Sequence, residues 1–393
     1  MNSNSDKPII LCFTDYFLPG FRAGGALRTI VNFVDRFGLD FDIRIVTCDR
    51  DFKDSKPFSC VQVNTWNIVG NASVLYVSPD RLTLWGIANI LSEFPYDVLY
   101  LNSFFSTRFT TFPLLVRFVG VSPRVPCVIA PRGEFSTGAL ALKSIKKILY
   151  IAVTSLFGLY RDLTWQASST RERDDILRVL SYVRSCDIHV APDLASVSRS
   201  PSTQFLPSHR SQRFSLRLCF LSRISPMKNL DFALRVLAHV RANVIFTIYG
   251  PKEDPDYWLT CKGFISKLPD NIDVVYKGEV HPQDVKFQLS QHDLFFLPSR
   301  GENYGHVIYE ALDAGLPVLI SDQTPWSEVE AFDVGWTLPL DDEILFAQRI
   351  DHVSSWSINK FASVRKSAQA FARSRSLAPD VLEANRNLFL NLL

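Results

Sequence analysis

No run of this sequence is apolar for as long as a bilayer requires. The longest, ILYIAVTSLFGLY from Ile148 to Tyr160, falls short of the ~20 residues of a spanning helix and reads as a buried or interfacial helix. Charge of one sign is not in excess either. The 42 basic and 40 acidic residues leave a net charge of +2, too little to draw nucleic acid to the molecule as a whole, so any anion site must be local. The seven cysteines, at 12, 48, 60, 127, 186, 219 and 261, contain no Cys-x-x-Cys pair. That leaves zinc and dithiol redox chemistry without their usual ligands, and the scatter suits a reducing, cytosolic compartment. The opening MNSNSDKP lacks the basic-then-apolar order of a signal peptide, so no secretion is expected. Repeats of 20 to 50 residues and low-complexity tracts are missing as well.

What is present suits two globular α/β cores. The chain has 393 residues, 47% of them hydrophobic, 12% aromatic and 21% charged, which is ample apolar material for large cores and leaves no disordered bulk. Short β-branched and aromatic runs alternate with helical patterns: IILCFTDY, FDIRIVTCD, VLYV, DVLYLNS and PCVIAPRG in the first half. The apolar period then lapses in SVSRSPSTQFLPSHRSQR, which is rich in Ser, Pro and Arg, and a second series follows: LRLCFLSR, ANVIFTIYG, IDVVYKG, HDLFFLPS and LPVLISD. Runs of this length, each closed by a turn signal, predict buried parallel strands in two doubly wound, Rossmann-like domains. The expected boundaries are 1–195 for an N-terminal domain and 196–214 for a linker. A C-terminal domain is expected over 215–370, and a helix in 371–393 packing back toward the N-terminal domain. Ligands of such sheets bind outside the carboxyl ends of the strands, so chemistry is sought just after each run.

After HDLFFLPS the chain reads SRGENYGHVIYEALDAG, with Glu302 and Glu310 on either side of Gly305. The spacing predicts a helix opening near Gly305, with Glu310 in its second turn and Glu302 in the loop above it. A helix N-terminus carries about half a positive charge and suits a diphosphate, while a carboxylate on each side accepts hydrogen bonds from sugar hydroxyls. Upstream, FLSRISPMKNLDF places Arg223 just after a strand and Lys228 just before a helical run. Two such cations in one strand-to-helix loop hold two phosphates without a metal. Read singly, each of these residues is equally well a solvated surface charge; their recurrence on one sheet edge argues for a site.

Together with Gly250, which ends IFTIYG, and Gly278 in YKGEV, this combination resembles the retaining GT-B glycosyltransferases of glycosyltransferase family 4. The strings YFLPGFRAGGALRTIVNF, TCDRD, YLNSFFS and APRGEFSTGALALKSIKK look like the branch of that family that works on bacterial surface polysaccharides. The resemblance covers Ile9 to Val329. It implies GT-B architecture, with two Rossmann-like domains facing a cleft, and transfer of a hexose-type sugar from a nucleoside-diphosphate sugar to a glycan or lipid-linked glycan, with no metal. Arg223 and Lys228 would neutralise the leaving diphosphate, Glu310 bind the ribose, and Glu302 contact the transferred sugar. The donor-binding set carried over is Gly24, Gly25, Gly250, Asn303, Tyr304, Gly305, His306 and Glu310.

One position departs from the family. Where many relatives carry a His at the strand end, IAPRGEF has Arg132, which orients or stabilises charge but cannot serve as a base. The leaving phosphate then takes the acceptor's proton, with Glu134 a second candidate base whose blander reading is a surface carboxylate. Asp49 and Asp51 form an Asp-x-Asp pair that would support a metal-dependent GT-A enzyme, a reading disfavoured by its distance in sequence from the phosphate motif. Lys143, Lys146, Lys147 and Arg161 bracket the apolar segment and suggest peripheral contact with an anionic membrane at its inner face. Two other functions share the architecture: a sugar-nucleotide epimerase and a non-catalytic partner subunit.

Overall fold

In a computed structural model, which describes residues 7–141, 144–196 and 215–393, each of the ten apolar runs becomes a strand. The first sheet contains β1 (Ile9–Thr14), β2 (Asp42–Cys48), β3 (Trp66–Val69), β4 (Ala72–Val77), β5 (Val98–Asn102), β6 (Cys127–Ala130), β7 (Thr164–Ala167) and β8 (Ile188–Val190). Their spatial order is β3-β4-β2-β1-β5-β6-β7-β8, and every pair is parallel except the edge hairpin β3–β4. The second sheet contains β9 (Leu216–Leu221), β10 (Val244–Tyr249), β11 (Ile272–Gly278), β12 (Leu294–Leu297), β13 (Val318–Ser321) and β14 (Gly335–Leu338). It is parallel throughout, in the order β11-β10-β9-β12-β13-β14. Strands β3, β7, β8 and β14 escaped the sequence reading because none stands out as an apolar run: WNIV, TWQA, IHV and GWTL each carry polar residues or glycine.

The chain divides into two compact units, Met1–Val197 with Ala378–Leu393, and Ser198–Leu377. Apart from Ser196, the expected linker lies outside the described residues. The expected border at 370/371 is corrected: it would cut the continuous helix Ile358–Ser376, whose Phe361, Val364, Ala368 and Phe371 are buried. Arg365 of that helix donates to the carbonyl of His292 within the second unit. The chain changes unit one residue after this helix ends, at Leu377. In the following helix, Pro379–Leu390, Phe389 packs on Phe33, Tyr100 and Phe41 of the first unit, with ring centroids 5.1, 5.2 and 6.0 Å away. Asn385 of the same helix donates to the carbonyl of Pro192 at 2.8 Å.

Helix Gly25–Phe37 shows how pattern becomes packing: Leu27, Ile30, Phe33, Val34 and Phe37 recur at helical spacing and are all buried, forming one stripe against the sheet. Helix Ser144–Leu156 behaves oppositely. Its Ile145, Ile148, Leu149, Val153 and Leu156 are exposed, as is Phe157 beyond its end, so the core-helix reading of this segment does not hold for that face. Lys143 lies outside the described residues. Among the described residues, no helix is long and apolar enough to cross a membrane.

Candidate functional site

In the second sheet the strand order reverses between β9 and β12, because the next strand in sequence after β9 lies on its other side. The crevice at the carboxyl ends of two such strands is where doubly wound sheets bind ligands. Arg223 and Lys228 follow β9, and Glu302 follows β12, so the sequence pattern converges on this point. Lys228 ends a single helical turn, Pro226–Lys228, and its Nζ lies 2.6 Å from Glu302 Oε1. Both side chains are largely enclosed, at 15% and 9% exposure. The two loops are further stitched together. Arg300 N and Ser299 Oγ donate to the Met227 carbonyl at 2.9 and 3.2 Å, and Arg300 Nε donates to Asn229 Oδ1 at 3.0 Å. Asn229 adopts a left-handed conformation and donates to the carbonyl of Pro298 at 3.0 Å.

Gly305 caps helix His306–Asp313 with φ +79°, a conformation that favours glycine. Glu310 stands in the second turn and Glu302 in the preceding loop, as the spacing predicts. The loop between them is fixed from outside: Trp326 Nε1 donates to the Tyr304 carbonyl at 2.5 Å, and the Tyr304 ring lies 5.5 Å from Trp326 and 4.8 Å from His306. Asn303, Tyr304 and His306 are half-buried. The loop that leads into the helix's positive end thus holds Lys228 through Glu302, and such an arrangement can seat a diphosphate flanked by carboxylates.

Gly250 has φ +127°, and a Cβ there would stand 1.9 Å from the Ser222 carbonyl oxygen. Only glycine permits this approach of the β10 loop to the β9 loop. Gly278 ends β11 at φ +77° and accepts a hydrogen bond from Gly250 N at 2.7 Å. The close packing delivers Glu253, which sequence reasoning missed, to Arg223: Arg223 Nη1 lies 2.8 Å from Glu253 Oε1. Glu253 sits three residues beyond the end of IFTIYG, so searching after every strand end would have found it.

In the first unit, Gly24 and Gly25 open helix Gly25–Phe37, with Gly24 as its cap at φ +78°. Arg132, at φ +55°, points inward. Its guanidinium pairs with Asp193 and Tyr100 and donates to Asn102 Oδ1 at 2.7 Å, and its side chain is 7% exposed. The cation expected to stabilise charge in this domain is thus committed to an internal ion pair. Glu134 is no simple surface carboxylate: it accepts from Ser103 Oγ at 2.8 Å, Phe104 N at 2.5 Å and Phe105 N at 3.2 Å. Burial pushes its carboxyl up to about 7 against the pull of these donors. Burial likewise raises Asp15, which accepts from Ser106 Oγ at 2.9 Å. Asp49 pairs with Arg50 at 2.7 Å. Asp51 accepts from the backbone of Phe21 at 2.9 Å and of Phe52 at 2.8 Å, so both members of the Asp-x-Asp pair shape the chain around them.

Residues 207–371 match the family described as Glycosyl transferases group 1. An uncharacterized glycosyltransferase of Methanocaldococcus jannaschii, MJ1607, is 26% identical over 149 residues, which is 37% of each chain. Sulfoquinovosyl transferase SQD2 of Arabidopsis thaliana is 28% identical over 130 residues, 30% of this chain and 24% of that one. The alignments therefore span little more than a third and about a quarter of these relatives. The crystal structure of Anabaena HepE in complex with UDP and glucose superposes with a TM-score of 0.70 over 98% of this chain and 99% of the other, at 16% identity. The chain is a two-domain protein of GT-B fold whose residues 207–371 match the glycosyltransferase group 1 family.

Proposed function

We propose that the protein is a retaining glycosyltransferase that moves a hexose-type sugar from a nucleoside-diphosphate sugar to a glycan or lipid-linked glycan in surface polysaccharide assembly, in the cytoplasm. The observation that carries this reading is the convergence of Arg223, Lys228, Glu302 and the entrance of helix His306–Asp313 at the reversal of strand order. In this reading the two cations and the helix N-terminus take up the charge that grows on the diphosphate as the sugar leaves, so no divalent metal is required. Glu310 accepts from the ribose and Glu302 from the sugar, while the departing phosphate takes the acceptor's proton. HepE, bound to UDP and glucose, supports a nucleotide-sugar partner. Thermal-shift screening of UDP, GDP, ADP and their sugars, followed by transfer assays with the stabilising donor, tests the proposal. Binding at a hundred times the dissociation constant stabilises by about 2.7 kcal/mol. Interconversion of the donor sugar without any acceptor would instead establish an epimerase.

The acceptor is proposed to be reached at an anionic membrane surface. Support comes from the exposed apolar face of helix Ser144–Leu156, where Ile148, Leu149, Leu156 and neighbouring Phe157 lie open to solvent. Contiguous apolar patches of this kind mark interaction sites, and this helix contains no acidic residue. Lys146 and Arg161 are exposed at its flanks, whereas Lys147 is spent on the Ala139 carbonyl, 2.6 Å away. Co-sedimentation with anionic vesicles should be lost in Leu149→Glu/Leu156→Glu; equal recovery with neutral and anionic vesicles would overturn this part.

A further inference from the structure

The two cations that follow β9 are held in different ways. Lys228 and Glu302 are enclosed together, whereas Arg223 and Glu253 keep 38% and 24% exposure at 2.8 Å. An ion pair in contact with water exchanges partners readily, and an enclosed one does not.

The backbone under Glu253 is nevertheless anchored. Ile224 N donates to the Pro251 carbonyl at 2.9 Å and Asp254 N to the Ile224 carbonyl at 3.3 Å. Lys252 lies over the rings of Tyr276 and Trp258, at 4.2 and 4.9 Å from their centroids, and Gly250 admits the close approach to Ser222. Glu253 thus offers a carboxylate at a fixed station on a half-exposed side chain. A diphosphate reaching Arg223 brings more negative charge than one carboxylate and forms charge-assisted bonds of the same kind.

Resting on the donor-site reading above, we infer that Glu253 is the resident counter-ion of Arg223. The diphosphate displaces it on binding, and it returns to Arg223 as the nucleoside diphosphate departs. No bond is made or broken; the guanidinium exchanges one anionic partner for another. By competing for Arg223, Glu253 weakens the grip on the product and speeds its release.

The test is calorimetry on the full chain with two probes, inorganic pyrophosphate and UDP, for the wild type, Glu253→Gln, Arg223→Ala and the double variant. Gln keeps the size of the side chain and removes its charge. Glu253→Gln is expected to bind both probes about 5- to 10-fold more tightly, with slower dissociation in stopped flow, and the gain should vanish in the Arg223→Ala background. Unchanged or weaker binding by Glu253→Gln, or an equal gain without Arg223, overturns the inference. If Arg223→Ala weakens binding while Glu253→Gln changes nothing, the donor site stands and the counter-ion role falls. If the wild type binds neither pyrophosphate nor UDP, GDP or ADP, both fall together.

Discussion

Lys228 and Glu302, 74 positions apart in sequence, meet at 2.6 Å with both side chains largely shielded from water. The pair joins the loop after β9 to the loop after β12 and so fixes the site on both sides of the strand-order reversal. Lys228→Ala leaves a carboxylate enclosed without its cation, and unfolding measurements should show a loss of about 3 kcal/mol. Lys228→Met/Glu302→Gln should recover most of that stability while transfer stays about 10²–10³-fold down, because the charge proposed to face the diphosphate has not returned. Recovery of transfer with stability would mean that the pair is structural alone.

The two glutamates should separate by what they bind. Glu310→Ala is expected to weaken free nucleoside diphosphate and nucleotide sugar alike, since the proposed partner of Glu310, the ribose, is present in both. Glu302→Ala should leave the free nucleotide nearly unchanged and suppress transfer. Calorimetry with the diphosphate beside initial rates with the sugar donor reads both quantities, and identical profiles for the two variants would refute the assignment.

Transfer should persist in EDTA within about twofold, because the charge compensation proposed for the leaving group comes from two side chains and a helix end. An assay in which activity vanishes with chelator and returns with magnesium or manganese would require a different account of the diphosphate.

Glu134 carries a pH prediction. Its carboxyl, raised by burial from the ordinary 4.5 to about 7, is favoured in the protonated form by the fold. The stability it contributes is therefore complete below the ordinary value and is lost as pH rises through about 7. The melting temperature should fall more between pH 5 and 7.5 in the wild type than in Glu134→Gln, whose amide nitrogen can donate to Ser103 Oγ while its oxygen accepts from Phe104 and Phe105. Parallel curves for the two proteins would show that the carboxyl does not titrate in this range.

Much of this protein could be read from the chain alone. Ten apolar runs, from IILCFT of β1 to VLIS of β13, announced their strands, most of them because a strand buried on both faces must be apolar, while the edge strand β11 is only half-buried. That Arg223 and Lys228 follow one strand and Glu302 another of the same sheet was legible, because each strand ahead of them is an apolar run closed by a turn. Gly305 was legible as the point where the loop turns into a helix, and the structure gives it a left-handed conformation at φ +79°. What only the tertiary structure decided is the partner of each charge: Lys228 with Glu302, Arg223 with Glu253, and Arg132 with Asp193, 61 residues away. It also decided that the apolar face of helix Ser144–Leu156 stays open while the C-terminal helix places Phe389 against Phe33 and Tyr100. The reason is physical. Strand and helix periodicity are local and repeat along the chain. An ion pair or a buried face depends instead on which loops the sheet order brings side by side and on how much water is left between them.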